Sequence, residues 1–229
     1  MDERAIADAL RSSSLFADAP DAVLAGIARR FSRRRFRRGE VVFHQDDPGD
    51  SLHIVSSGSL KVVLRGTEGD EAIIATLHPG DFFGELSLLD GAPRSATVAA
   101  VEPSETLTLP RDSFRDLLDR DPAVRDALLA GLAHQMRRIT GHVEELHFLD
   151  LPGRLAKRLT RLAREADPTS SVVRLDWPYT QSDLAAMIGG TRQSVNRLLG
   201  TLIVDGLVVL DRDVLVIPDV DALDRLATQ

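Results

Sequence analysis

Apolar residues fall in two different rhythms along this chain of 229 residues. Near the start, Ile6 and Leu10 stand four apart among charged and small residues, which predicts a short helix over 2–11. Asp18 to Phe31 predicts a second helix, with Pro20 near its start and Val23, Leu24, Ile27 and Phe31 on one face. From Gly39 to Pro110 the rhythm changes. Short β-branched runs are broken by Gly, Asp and Pro, with turns over 46–50 and 56–58. Many short strands at roughly 8–12-residue spacing predict a sandwich or barrel, and a small β-roll with an interior pocket fits that spacing.

Helical spacing then returns. Arg111 to Leu118 reads as a short helix. Asp121-Pro122 supplies an N-cap and a proline at the first helical position, and only Gly131 and Gly141 interrupt the helix-favouring run that continues to about His147. Leu128, Leu132, Gln135, Ile139, His142 and Leu146 keep a 4-3-4-3-4 spacing within it. That reads as the seam of a parallel dimer helix, whose polar residues would lower stability while setting register, and a helix packed on its own domain is the blander reading. Pro152-Gly153 predicts a break. After it, Leu155, Leu159 and Leu162 form an apolar face, while Arg154, Lys157, Arg158, Arg161 and Arg164 form a basic one. The basic face suits phosphate contacts and suits a solvated surface equally.

Thr180 to Leu202 reads as two short helices around Gly189-Gly190, each with a threonine N-cap, Thr180 and Thr191. The second buries Val195, Leu198, Leu199 and Leu202 and turns Arg192, Gln193, Ser194, Asn196 and Arg197 outward. Two helices, a glycine turn and a polar, Arg-bearing second helix make a helix-turn-helix pattern; a plain helical hairpin is the blander reading. Arginine pairs bidentately with guanine and glutamine with adenine, so Arg192, Gln193 and Arg197 are assigned to bases, and Thr180, Gln181, Thr191 and Ser194 to phosphates. Residues 207–218 predict a β-hairpin turning at Asp211-Arg212-Asp213, the wing of a winged helix, and 219–229 a short helix or tail.

Composition narrows the chemistry. The chain has no cysteine, which removes disulfides, Cys-bound zinc and Cys-bound iron–sulfur clusters. No apolar run is long enough to span a membrane, and the first residues carry no apolar signal core. The net charge of −7 does not favour nucleic acid overall, so any such contact needs a local basic face. Arg29 to Arg38 holds seven arginines in ten residues. With Phe31 and Phe36 interleaved, this run reads as a solvated strand edge rather than a nucleic-acid patch. His44, His53 and His78 match no metal-ligand spacing and are given structural or surface roles.

The strongest candidate chemistry lies in Gly80 to Thr97, GDFFGELSLLDGAPRSAT. Glu85 can accept from sugar hydroxyls, Arg94 offers a charged fork for a phosphate, and Ser95 with nearby backbone N–H groups can complete the nest. A Glu–Arg ion pair on a loop is the plainer alternative. The stretch resembles the phosphate-binding cassette of cyclic-nucleotide-binding domains in the CRP/FNR family of transcription regulators. The run from Gly49 to Val62 is similar to early strands of that domain. The resemblance implies that Glu85 holds the ribose 2′-hydroxyl, that Arg94 and Ser95 hold the cyclic phosphate, and that Gly84, Leu86 and Ser87 line the pocket. It also implies that the long helix both dimerises and closes over the base, where Ile139 and Thr140 stand in place of a frequent Thr-Ser pair that reads adenine.

The expected protein is thus of α+β class. It has a cyclic-nucleotide-binding β-roll domain over 1–118, a dimerisation helix over 119–148 and a winged helix-turn-helix domain over 149–229. Its expected role is that of a homodimeric DNA-binding transcription regulator responsive to cyclic AMP. The resemblance implies double-stranded DNA and RNA polymerase as partners and a cytoplasmic location. No enzyme activity, cofactor or metal is expected, since no nucleophile–base pair accompanies the cassette. The alternatives are cyclic GMP or cyclic di-GMP as ligand, DNA binding without a ligand, a nucleotide-sensing module that acts on a protein partner, and an enzyme such as a phosphodiesterase.

Overall fold

The computed structural model describes residues 3–17, 19–66, 69–211 and 214–227. The chain falls into two compact units, Met1–Gly69 with Ile74–Arg138, and Asp70–Ile73 with Ile139–Gln229.

The first unit opens with α1 (Glu3–Arg11) and α2 (Asp21–Ala28), and Ile6 and Leu10 are buried as their spacing predicts. The expected second helix is shorter than predicted: it ends at Ala28, and Phe31 reaches the core from just beyond it. Asp18, the expected start, lies outside the described residues. Eight strands follow: β1 (Ser32–Phe36), β2 (Val41–Phe43), β3 (Ser51–Ser57), β4 (Leu60–Arg65), β5 (Glu71–Leu77), β6 (Phe82–Phe83), β7 (Thr97–Ala100) and β8 (Ser104–Pro110). Between them sits a five-residue helix, α3 (Leu86–Asp90), and after them α4 (Arg111–Arg120). The strands form two four-stranded sheets, ordered β1-β8-β3-β6 and β2-β7-β4-β5.

Strand β3 shows how the layers are built. Successive side chains on a strand point to opposite faces. Leu52 and Ile54 join α1, α2, α4 and Val124 in one apolar core. Val55 points the other way, into a second core with Phe36, Val42, Leu60, Phe83 and Val98 contributed by both sheets. His53 shares that inner face, stacked on Phe83 with ring centroids 5.0 Å apart. Burial on both faces explains why this strand reads as an almost unbroken buried run. The arginine-rich stretch forms the edge strand β1, exposed from Ser32 to Arg35, with Arg33 and Arg35 both paired to Glu105 on β8.

The long helix α5 (Pro122–Phe148) starts where Asp121 Oδ1 accepts from the Ala123 and Val124 N–H groups. Its outward face corrects the expected seam. Leu128 is buried in the core of its own unit, and Gln135 and His142 are half-buried. Besides Phe148 at its end, the large apolar side chains it leaves exposed are Leu129, Met136, Ile139, Val143 and Leu146. With Leu132, which also touches the core, those five form a 3-4-3-4-3 stripe with no polar member. Adjacent leucines at 128 and 129 make either phase readable from sequence; the neighbouring core claims Leu128.

The second unit holds the end of α5, then α6 (Leu151–Ala166), β9 (Val173–Asp176), α7 (Gln181–Ile188), α8 (Arg192–Val204), β10 (Val209–Asp211), β11 (Val214–Ile217) and α9 (Val220–Leu226). The break between α5 and α6 falls at Leu149-Asp150, not at Pro152-Gly153. Asp150 is the N-cap and accepts from Gly153 N–H at 2.8 Å, so proline sits in the first turn, where its missing donor costs no helical bond. The basic face of α6 is neither wholly solvated nor free for phosphate. Lys157 pairs with Asp224, Arg161 with Glu145, and Arg164 with Asp221. The wing hairpin forms with Val209 opposite Val216, and β9 adds an unforeseen third strand against β11. Arg212 and Asp213, at the expected turn, lie outside the described residues.

Candidate ligand pocket and DNA-reading helix

Strand β6 ends at Phe83, and the chain reverses through Gly84 at φ +84°. A side chain there would also strike the guanidinium: a Cβ on Gly84 would sit 2.6 Å from an Arg94 terminal nitrogen. Glycine is therefore required twice over at this position. Arg94 itself is pinned by backbone. Its N–H donates to Asp47 C=O at 2.9 Å, and its C=O accepts from Asp46 N–H at 2.9 Å.

The Arg94 side chain is only 2% exposed. One terminal nitrogen donates to Gly84 C=O at 2.7 Å and the other to Ser51 C=O at 2.9 Å. The guanidinium carbon lies 4.1 Å above the Phe43 ring centre, a cation–π contact. Its Nε is buried without a hydrogen-bond partner. An unmatched buried donor on a cation is costly unless something supplies an acceptor. Burial draws the Arg94 pKa down.

Glu85 is 3% exposed, and its carboxyl is pushed up to about 7, chiefly by burial, with its own backbone N–H and Arg94 partly offsetting. The site therefore holds one acid and one guanidinium, both desolvated. Ser87 is buried beside them, whereas Leu86 and Ser95 are exposed. Thr140 is exposed on α5 and belongs to the second unit. Four participants were not foreseen: Phe43, Asp50, Ser51 and Arg111, which donates to Ser87 C=O at 3.2 Å. They lie far from the cassette in sequence, and only the resemblance of Gly49 to Val62 to a known domain pointed near them.

A pH effect follows from Glu85. The folded, empty site holds a proton between pH 4.5 and about 7 that the unfolded chain releases. The stabilisation is full below pH 4.5 and is lost as pH rises through 7. The shift amounts to roughly 3 kcal/mol. Urea midpoints of wild type should therefore fall relative to Glu85→Gln between pH 5 and 8. Parallel curves for the two proteins would show that Glu85 is ionised throughout.

In the second unit, Thr180 Oγ1 accepts from Asp183 N–H at 3.1 Å while Asp183 accepts from Thr180 N–H at 2.9 Å, a full capping box on α7. Thr191 caps α8 by accepting from Ser194 N–H at 3.1 Å. Both hydroxyls assigned to phosphates thus also hold helix starts. Gln181 donates from its amide to Asn196 at 3.2 Å and ties the two helices together. Arg192, Gln193 and Arg197 are exposed on α8. Among the described residues, the Arg192 and Arg197 guanidinium groups meet no carboxylate, unlike Lys157, Arg161 and Arg164 of α6. Both are exposed to an outside polyanion.

Residues 33–121 match the cyclic nucleotide-binding domain, and residues 153–226 match the Crp-like helix-turn-helix domain. The chain is 31% identical over 219 residues to the CRP-like cAMP-activated global transcriptional regulator of Mycobacterium tuberculosis, covering 95% of this chain and 98% of that one. It is 34% identical over 197 residues to the cyclic AMP receptor protein of Thermus thermophilus, covering 86% and 88%. Among solved structures, the c-di-GMP responsive global regulator CLP of Xanthomonas campestris aligns with a TM-score of 0.72 at 23% identity, over 82% of this chain and 94% of that one.

Proposed function

The chain belongs to the CRP/FNR family of transcription regulators, which are DNA-binding proteins and not enzymes, and on that premise we propose that it is a homodimeric, cytoplasmic regulator switched by cyclic AMP. The observation that carries the ligand reading is the buried pair itself. Glu85 and Arg94 are both withdrawn from water within a β-walled unit. An anionic sugar-phosphate supplies what each lacks: hydroxyl donors for the carboxylate and acceptors for the guanidinium. Ser95 stands beside Arg94 to add a hydroxyl to the phosphate, and Gly84, Leu86 and Ser87 supply the surrounding backbone. Thr140 is assigned to the base. The two relatives described above are cyclic AMP proteins by name, which supports the same nucleotide here.

A second reading keeps the pocket and changes the base. Ile139 stands where the resemblance would place a hydroxyl that reads adenine, so cyclic GMP and cyclic di-GMP are the competing ligands. Calorimetry with all three decides. Heat with cyclic AMP alone supports the first reading, and heat only with another nucleotide replaces it.

The apolar stripe of α5 is the proposed dimer contact, and α8 the proposed reader of the major groove. Two such helices would address half-sites ~34 Å apart. Ligand moves the regulator toward its DNA-binding arrangement only by as much as it prefers that arrangement. RNA polymerase is the proposed protein partner once DNA is bound. Arg192→Ala should weaken specific DNA binding by about 1–3 kcal/mol, roughly 5- to 150-fold, and relax the preference at one base pair. A mobility-shift titration at fixed salt reads this. An unchanged midpoint would remove Arg192 from base contact.

A further inference from the structure

One carboxylate beside Arg94 has no part in the proposed grip on the ligand. Asp50, at the end of the turn before β3, places Oδ1 3.4 Å from the Arg94 terminal nitrogen, with its own side chain 87% exposed. Its position is not accidental to the packing. Ser51 Oγ donates to Asp50 Oδ1 at 2.7 Å. That uses the serine proton, so the contact of 3.2 Å between Ser51 Oγ and His53 Nε2 has the imidazole as donor. His53 Nδ1 is then the acceptor for the Thr106 and Thr108 hydroxyls, each at 3.3 Å. Burial drives the His53 pKa down to about 3, so the ring is neutral and this single tautomer completes the chain. A row of hydrogen bonds thus runs outward from the buried threonines and ends on Asp50, holding its charge against Arg94. The Ser51 hydrogen bond and then Arg94 keep the Asp50 carboxyl below its usual range.

We infer that Asp50 is an affinity-setting residue, an internal counter-ion that occupies Arg94 in the empty site and that an incoming phosphate must displace. The inference rests on the ligand reading above for the identity of the natural anion, but not for the gate itself. An anion approaching Arg94 meets a cation that already has a carboxylate partner, and a like charge held beside it. Both effects oppose binding, and both vanish when the carboxylate becomes an amide of the same shape. Because Asp50 is exposed, the change leaves the cores untouched.

The test uses two probes, inorganic sulfate and cyclic AMP, on the full chain as wild type, Asp50→Asn, Ser51→Ala and Asp50→Asn/Arg94→Ala. Thermal melts across a sulfate series at constant ionic strength should show a larger stabilisation of Asp50→Asn than of wild type. Ser51→Ala, which frees Asp50 from its tether, should fall between them, and the gain should disappear in the double variant. Calorimetry should give cyclic AMP binding to Asp50→Asn that is roughly three- to tenfold tighter than to wild type. If sulfate discriminates the variants but no protein binds cyclic AMP, the gate stands and the nucleotide reading falls. If Asp50→Asn gains nothing from sulfate, or binds either anion more weakly, Asp50 is no gate, and the inference is overturned.

Discussion

Replacing Arg94 by alanine is expected to weaken cyclic AMP binding between about 30-fold and several thousand-fold. The range follows from the loss of a buried charge-assisted contact, about 2–5 kcal/mol, at tenfold per 1.4 kcal/mol. The guanidinium is held by the Gly84 and Ser51 carbonyls over the Phe43 ring, whereas the neighbouring Arg111 is engaged with the Ser87 carbonyl, so its loss removes the main cation of the proposed phosphate contact. The same change leaves the Gly84 and Ser51 carbonyls short of donors, so the unit should also lose roughly 1.5–3 kcal/mol of stability. Arg94→Lys separates the two effects. It keeps the charge and loses the two-pronged geometry, and binding should fall to a value between wild type and alanine. Calorimetry gives the affinity, and circular dichroism with urea melts confirms a folded protein. Wild-type affinity in a folded Arg94→Ala variant would refute the phosphate assignment.

The second large effect concerns α5. A glutamate at Met136 or at Val143 should convert the proposed dimer to monomer at micromolar concentration. Those two side chains are 65% and 58% exposed in the single chain and lie one heptad apart. In a symmetric pairing each substitution acts twice, removing about 1.5–3 kcal/mol of apolar burial per side chain and placing like charges opposite each other. Gln135→Glu and His142→Gln, on the flank originally expected to be the seam, should leave the dimer intact. Sedimentation velocity distinguishes them. A stable Met136→Glu and Val143→Glu dimer, with a dissociating Gln135→Glu variant, would return the interface to the Leu128 face. Specific DNA binding should follow the oligomeric state, because a monomer presents one reading helix to a two-part site.

Much of the molecule was legible in one dimension because the relevant signals are local. Period and punctuation placed α1, α4, α7 and α8, the threonine caps of the last two and the Asp-Pro start of α5, since a capping threonine or an Asp-Pro step acts within one turn of itself. The edge character of the arginine run was legible for the same reason: four consecutive polar side chains cannot face a core on both sides. Where the reading slipped, a distant group had decided the matter. The phase of α5 was lost between Leu128 and Leu129 because the choice is made by a core assembled from residues as remote as Ile6. The basic face of α6 looked open because Asp221 and Asp224 lie some sixty residues later in the chain.

The sequence by itself determined the kinds of chemistry present: one acid, one guanidinium and their glycine-framed spacing, and a capped pair of helices with cations at the second start. Only the tertiary structure decided what state those groups are in. It withdrew Glu85 and Arg94 from water, set Asp50 against the guanidinium from 44 residues away, and paired Lys157, Arg161 and Arg164 of α6 while leaving Arg192 and Arg197 of α8 exposed. The reason is that a residue's charge and hydrogen-bonding capacity are fixed by its covalent structure, whereas desolvation and Coulomb energy depend on which neighbours the fold brings within a few ångströms.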